Sequence, residues 1–162
     1  MSSMDERLAQ IYRAHSGEAT RLAFLLTRDR QEAEDITHEA FVRLGAKLLT
    51  LRDPDRAVGY LLRTVANLAK DHGRRLARAR RFGVTILQPS PHSLDVELRD
   101  EVLTAMMMIP LRHRLVLFLR YYLDMSEQQA AQTMGCTPAA IKSLTNRATN
   151  SVRKHLEGES HE

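Results

Sequence analysis

The sequence predicts an all-α protein: two small helical domains joined by a flexible linker, the C-terminal one carrying a helix-turn-helix. Three observations lead there. Apolar residues recur at spacings of three and four along most of the chain, the period of one helix face. One stretch, FGVTILQPSPHS from Phe82 to Ser93, loses that period and holds two Pro and one Gly, the composition of a connector. Aromatic residues make up only 5% of the chain and Trp is absent, so the cores must be aliphatic, built from Leu, Ala, Val and Met. The boundaries that follow are a first domain over 1–78, a linker over 79–93 and a second domain over 94–162. Each domain, at roughly 70 to 80 residues, is near the lower limit at which a hydrophobic core suffices on its own.

The totals exclude several function classes. Lys and Arg number 24 against 20 Asp and Glu, a net charge of +4, so the placement of the basic residues matters more than their excess. A single Cys allows no internal disulfide and suits a reducing cytoplasm. Asp5 and Glu6 stand where a signal peptide would need an apolar core, and no window approaches the length of a membrane span. A soluble, cytoplasmic protein is expected. The seven His are scattered, the Cys has no paired His motif, and no Gly-rich phosphate loop is present. Neither an enzyme nor a cofactor or metal site is expected.

The elements follow in order. From Asp5 to about Arg28, Leu8, Ile11, Tyr12, His15, Ala19, Leu22, Ala23 and Leu26 form an apolar stripe, with Gly17 marking a bend or a break in it. Asp29 followed by Glu32 starts a second helix. Its inner face is Ala33, Ile36, Ala40, Phe41, Leu44 and Leu48, and Glu32, Glu34, Asp35 and Glu39 crowd its first half, where they complement the helix dipole. This acidic face is either simply solvated or a docking surface for a basic partner. His38-Glu39 does not begin a zinc-protease helix, because Val42 occupies the place of the second His.

Leu49 to Asp55 reads as a loop, followed by a third helix from about Arg56 to Arg75. Tyr60, Leu61, Val65, Leu68 and Ala69 point inward; Arg63, Asn67, Lys70, Asp71, Arg74 and Arg75 line the other side. From Arg74 to Arg81 five of eight residues are Arg and none is acidic, which favours nucleic-acid contact over a plain solvated run. Past the connector, a helix from Leu94 to Ile109 ends at Pro110, and a further one, Leu111 to Leu123, is apolar nearly all round and therefore central.

Ser126 to Leu156 is the most informative stretch. Ser126 and Gln129 have capping-box spacing, Gly135 ends the short helix they open, and Thr137-Pro138 starts the next one. A helix, a short Gly turn and a second helix make a helix-turn-helix. In the second helix Ile141, Leu144, Ala148, Val152 and Leu156 form an apolar stripe, leaving Lys142, Ser143, Asn146, Arg147 and Asn150 off it. Between Glu127 and Glu157 there is no acidic residue. An amide-bearing, cationic face free of carboxylates suits DNA, since Arg and Asn can make paired contacts to base edges in the major groove.

These segments, taken in order, resemble the extracytoplasmic-function sigma factors, the two-domain promoter-specificity subunits of bacterial RNA polymerase. EAEDITHEAFVRL is similar to their core-binding helix, GYLLRTVANLAKDHGRR to the helix that reads and melts the −10 element, and IPLRHRLVLFLRYYLDMSEQQAAQTMGCTPAAIKSLTNRA to the −35-reading domain. The resemblance implies that Asp35, His38, Glu39 and Arg43 contact a coiled coil of the polymerase largest subunit. It implies a pocket for an unpaired base in the loop Leu51 to Arg56, including Arg52, aided by Tyr60 and Asn67, with Arg63, Lys70, Arg74 and Arg75 on backbone phosphates. Thr137, Ala139, Lys142, Ser143, Asn146 and Arg147 would meet the −35 major groove. The partners implied are core RNA polymerase and promoter DNA, with an anti-sigma factor as a candidate regulator.

Some positions depart from the family pattern. Gly45 stands where an aromatic is common, the Trp common near Tyr60 is missing, and Leu144-Thr145 replaces an Arg-Leu pair, which predicts that Leu144 packs inward beside Ile141. Two other classes compete with this reading. A stand-alone helix-turn-helix regulator would bind an operator as a dimer, leaving the acidic second helix and the Arg-rich third helix idle. A sigma mimic would sequester the polymerase without opening DNA.

Overall fold

A computed structural model describes residues 2–83 and 100–159, the side chains of Asp100 and Glu159 excepted. All regular structure among the described residues is helical. The chain divides into two compact units, Met1–Leu94 and Asp95–Glu162.

The first unit is three helices, α1 (Ser3–Thr27), α2 (Arg30–Lys47) and α3 (Pro54–Arg81), each packed against the other two. Leu22, Leu44, Leu48, Leu61, Leu62 and Val65 are fully buried between them. Ala19, Ala23, Ala33, Ala40 and Ala57 are buried as well, and their small side chains let the helices approach closely. Asp29 caps α2 by accepting the Glu32 N–H at 3.2 Å, as the sequence predicts. Asp53 caps α3 with Pro54 at its first turn. The Asp-Pro pair that reads as loop is thus the start of the helix, since proline has no N–H to leave unsatisfied there.

Two expectations change. α1 runs through Gly17 without a break: one exposed glycine weakens a helix by about 1 kcal/mol, less than the packing on either side supplies. α3 extends to Arg81, six residues beyond the predicted end, because the Arg-rich run has good helix formers and places basic side chains at the negative end of the helix. The missing aromatic at Gly45 has a packing reason, as even a Cβ there would meet Leu8 Cδ2 at 3.2 Å. The exit of α2 is tied down by Arg7, whose guanidinium donates to the carbonyl of Leu48 at 2.9 Å and to that of Leu51.

In the second unit α4 (Asp100–Met107), α5 (Leu111–Leu117) and α6 (Glu127–Met134) all pack on α7 (Pro138–Glu159). The core holds Ala105, Ile109, Val116, Leu119, Ala130, Ile141, Leu144 and Ala148. The predicted helix Leu94 to Ile109 is described only from Asp100, and Val84 to Ser93 and the residues up to 99 lie outside the described chain. The single helix expected over Leu111 to Leu123 becomes seven α-helical residues followed by a π-helical turn, Phe118–Tyr122. Apolar spacing marks the stretch as helical but does not tell a bond to i−4 from one to i−5, so the π-turn is invisible to periodicity. The turn stacks Phe118 on Tyr122, ring centroids 4.7 Å apart, and leaves Tyr121 exposed.

Candidate nucleic-acid and polymerase interfaces

The helix-turn-helix forms as its residues dictate. Ser126 accepts the Gln129 N–H at 3.1 Å while the Gln129 amide accepts the Ser126 N–H at 2.9 Å. Gly135 closes α6 in the left-handed region, at φ 69°. Thr137 accepts the Ala140 N–H at 3.1 Å and so opens α7. Its hydroxyl oxygen keeps one lone pair, and its proton, for an outward partner.

Behind the α7 face, Ile141, Leu144, Thr145 and Ala148 are buried, and the Thr145 hydroxyl donates to the Ile141 carbonyl at 2.7 Å. Leu144 and Thr145 thus both face the core, which answers what replaces the family's Arg-Leu pair here. Thr137, Ala139, Lys142, Ser143, Asn146 and Arg147 are all exposed, as are Asn150, Arg153 and Lys154 further along. Their spacing of three and four sets them on one outward face.

Sequence reading missed one residue near that face. His113, on the first turn of α5, has a buried Nδ1 with no hydrogen-bond partner among the described residues. Its pKa lies below the usual histidine value, first because of partial burial and then because of the Arg147 charge. A lone His beside Arg112 and Arg114 carries no sequence signal for a neighbour more than thirty residues away.

In the first unit α3 presents the predicted basic row. Arg63, Asn67, Lys70 and Arg74 are exposed at spacings of three and four, and Arg56, Arg78 and Arg81 continue the same row at both ends. Arg75 is exposed but sits off this row. Tyr60 is half-buried, its backbone carbonyl accepting the Thr64 hydroxyl at 2.7 Å. The nearest carboxylate to the row is Asp71, 3.9 Å from Arg74 across one helical turn, a solvated pair that contributes little. Arg52 is exposed in the loop between Arg7's anchor at Leu51 and the Asp53 cap.

Across α2, Asp35, His38, Glu39 and Arg43 are exposed. Glu39 pairs with Arg43 at 3.0 Å, and the Gln31 amide donates to Asp35 at 3.1 Å. Val42, noted in sequence only for not being His, is 56% exposed among these charges, so the acidic face has an apolar centre. The signal for it was present, because the buried stripe of α2 passes over position 42.

Among the described residues no cluster of His, Cys, Asp or Glu could hold a metal ion, and no helix is long and apolar enough to cross a membrane.

Known proteins match both units. The family model for Sigma-70 region 2 matches residues 11–79, and that for Sigma-70 region 4 matches residues 99–159. The chain is 31% identical over 158 residues to the probable RNA polymerase sigma factor RfaY of Xanthomonas campestris pv. campestris, covering 91% of this chain and 40% of that one. It is 27% identical to the ECF RNA polymerase sigma factor SigE of Mycolicibacterium smegmatis, covering 96% of this chain and 62% of the relative. For the ECF sigma factor SigL of Mycobacterium tuberculosis the identity is 28%, with 91% and 87% covered. The chain therefore spans well under two thirds of the first relative and slightly under two thirds of the second. Among solved structures, the sigma factor RpoE in complex with the anti-sigma factor NepR from Bartonella quintana shares the fold. Its TM-score is 0.77 at 21% identity, over 94% of this chain and 98% of that one. Region 2 and region 4 matches in this order, together with relatives of the same type along nearly the whole sequence, do not favour a stand-alone regulator. The chain belongs to the sigma-70 family, as a non-enzymatic sigma factor of the extracytoplasmic-function type.

Proposed function

We propose that this chain binds core RNA polymerase in the cytoplasm, directs it to specific promoters and helps open the −10 region. Residues 1–78 would serve core binding and −10 melting, 79–93 would link, and 94–162 would read the −35 element. The observation that carries this reading is that each compact unit presents one exposed cationic helix face, the α3 row and the acid-free α7 face.

The division of labour follows from chemistry. On α2, Asp35, His38, Glu39 and Arg43 surround the exposed Val42, a charged rim around an apolar point of the kind that docks on a basic protein helix. On α3, Arg63, Lys70, Arg74 and Arg75 hold phosphates of the melted strand, while Arg52, Tyr60 and Asn67 border the place where an unstacked base is received. Flipping that base costs a few kcal/mol, which capture in a pocket offsets. On α7, Thr137, Ala139, Lys142, Ser143, Asn146 and Arg147 meet the −35 major groove. Two small units on a linker lose orientational freedom when both dock, so the free chain binds a promoter weakly and polymerase supplies the fixed spacing. An anti-sigma factor that covers these faces would hold the chain inactive.

Run-off transcription with purified core polymerase tests the proposal. Promoter-dependent product on cognate genomic templates is expected only when the chain is added. Absence of any such product, or a symmetric footprint made by the chain without polymerase, would overturn it.

A further inference from the structure

α3 ends on an aromatic ring. Phe82 caps the helix, its N–H donating to the Ala79 carbonyl at 3.2 Å. Gly83 then turns the chain away in the left-handed region, φ 72°, its N–H donating to the Arg80 carbonyl at 3.2 Å. Glycine takes that conformation without a Cβ penalty, so the helix end itself fixes where the ring is mounted. The Phe82 residue is 79% exposed, more than any other large apolar residue among the described ones. No aromatic ring or guanidinium of the described residues stacks on it.

A single exposed apolar side chain is ordinary on a protein surface. The company this one keeps is not. Arg75 and Arg78 stand seven and four residues before Phe82, a spacing that sets all three on one side of the helix. All three are exposed, and no acidic residue occurs from Arg74 to Gly83. Arg78 belongs also to the Arg63–Asn67–Lys70–Arg74 row, so the ring flanks the end of that row, and Arg75, which the row leaves out, falls on the ring's side. Along the helix Phe82 lies roughly 33 Å from Tyr60, at about 1.5 Å per residue, well away from the place proposed to receive the −10 base. Guanidiniums that take phosphates beside an open aromatic face that takes a base are the two parts of a single-strand binding surface.

We propose that Phe82, with Arg75 and Arg78, forms a stacking seat for one unpaired base of a DNA strand, at the opposite end of α3 from Tyr60. A paired base has both faces covered by its neighbours in the stack, so the ring selects an unpaired strand over a duplex. The ring has no hydrogen-bonding group, so it reads no base edge and the seat tolerates any sequence. An apolar protein surface would also cover the ring, but it would strip water from the neighbouring guanidiniums without supplying an anion. A strand brings its own phosphates. The proposal rests on the reading of α3 as a DNA-contacting helix.

The test uses the full chain, fluorescein-labelled oligo(dU), the same strand paired to oligo(dA), and anisotropy titrations over a range of low salt. Phe82→Ala should weaken binding of the single strand by about 5- to 150-fold, the worth of one stacked base. Duplex binding should stay within about twofold of the parent, and the slope of log Kd against log salt should not change, because no charge is lost. Phe82→Tyr should restore the parent affinity, since a phenol ring stacks as well. The Tm of Phe82→Ala should match that of the parent; a clear fall would show the ring packed within the protein and refute the seat. The chain has no Trp, so Phe82→Trp places a single reporter at the site. Its fluorescence should be quenched by oligo(dU) and not by inorganic polyphosphate, which offers phosphates without bases. Equal quenching by both, no quenching by oligo(dU), or parent affinity in Phe82→Ala would overturn the proposal. If oligo(rU) binds more tightly than oligo(dU) and owes that margin to Phe82, the seat is one for RNA and the DNA assignment fails. Arg63→Gln with Lys70→Gln is the control on α3. Weaker binding of both probes by that variant, with Phe82→Ala unaffected, refutes the seat and leaves the α3 reading standing. No loss in either variant, or no binding of either probe by the parent, refutes both.

Discussion

Arg147 shows how a single side chain acquires a role from what lies behind it. Leu144 and Ala148 anchor its helix in the core, so its guanidinium is held outward with Lys142 and Asn146. Arg147→Ala should weaken −35-dependent holoenzyme binding by about 1–3 kcal/mol and relax specificity at one base pair if the contact is to a base. A uniform loss across promoter sequences, with a smaller salt slope, would identify a phosphate contact instead. His113 lies within reach of the same charge, and its depressed pKa has a sign that can be worked out. The folded state holds the ring neutral, so on acidification the unfolded chain takes up the proton first. The contribution to stability is complete above the ordinary value of 6.5 and is lost as pH falls from there through the lowered folded pKa. Measured as Tm against pH, His113→Gln should flatten the acid side of the profile. An unchanged profile would show that the ring is not sheltered in solution.

The helices differ in how plainly their residues announce them. α6 is written in its ends: Ser126 and Gln129 satisfy each other's backbone, and Gly135 supplies the left-handed exit. Ser126→Ala should therefore lower stability by about 1 kcal/mol, read by chemical denaturation of the full chain. α1 is the opposite case. Gly17 sits in mid-helix with nothing within 4 Å of where a Cβ would be, so Gly17→Ala should raise stability by about 0.4–1 kcal/mol. The break that Gly17 marks in the sequence is absent because the buried row Leu22, Ala23 and Leu26 holds the helix to its neighbours. Capped and amphipathic elements, α2, α6 and α7, could be read nearly to the residue. The π-turn at Phe118–Tyr122 could not, because apolar spacing does not distinguish a π-turn from an α-turn. The exposed rows of α3 and α7 were legible for the same reason that their inner faces were. That the charge of Arg147 is felt at His113 depends on helix packing that no local pattern encodes.

At the level of the whole chain, each of the two units has a core of its own, and the proposed function assigns each a surface for a different stage of initiation. On that proposal, recruitment and opening are separable. Asn67→Ala, on the exposed side of α3, should leave closed-complex formation on duplex promoter within about twofold of the parent while slowing strand opening, as followed by permanganate reactivity. Equal opening rates would remove Asn67 from the melting surface. Two hydrogen bonds in the first unit bear on this proposal. Arg7, near the start of α1, grips the backbone of Leu48 and Leu51, and the strap it fastens carries Arg52 to the threshold of α3. Protease nicking or a short deletion at the amino end would thus unbuckle a segment more than forty positions away, loosening the edge proposed to receive a base while every side chain proposed to face DNA stayed intact.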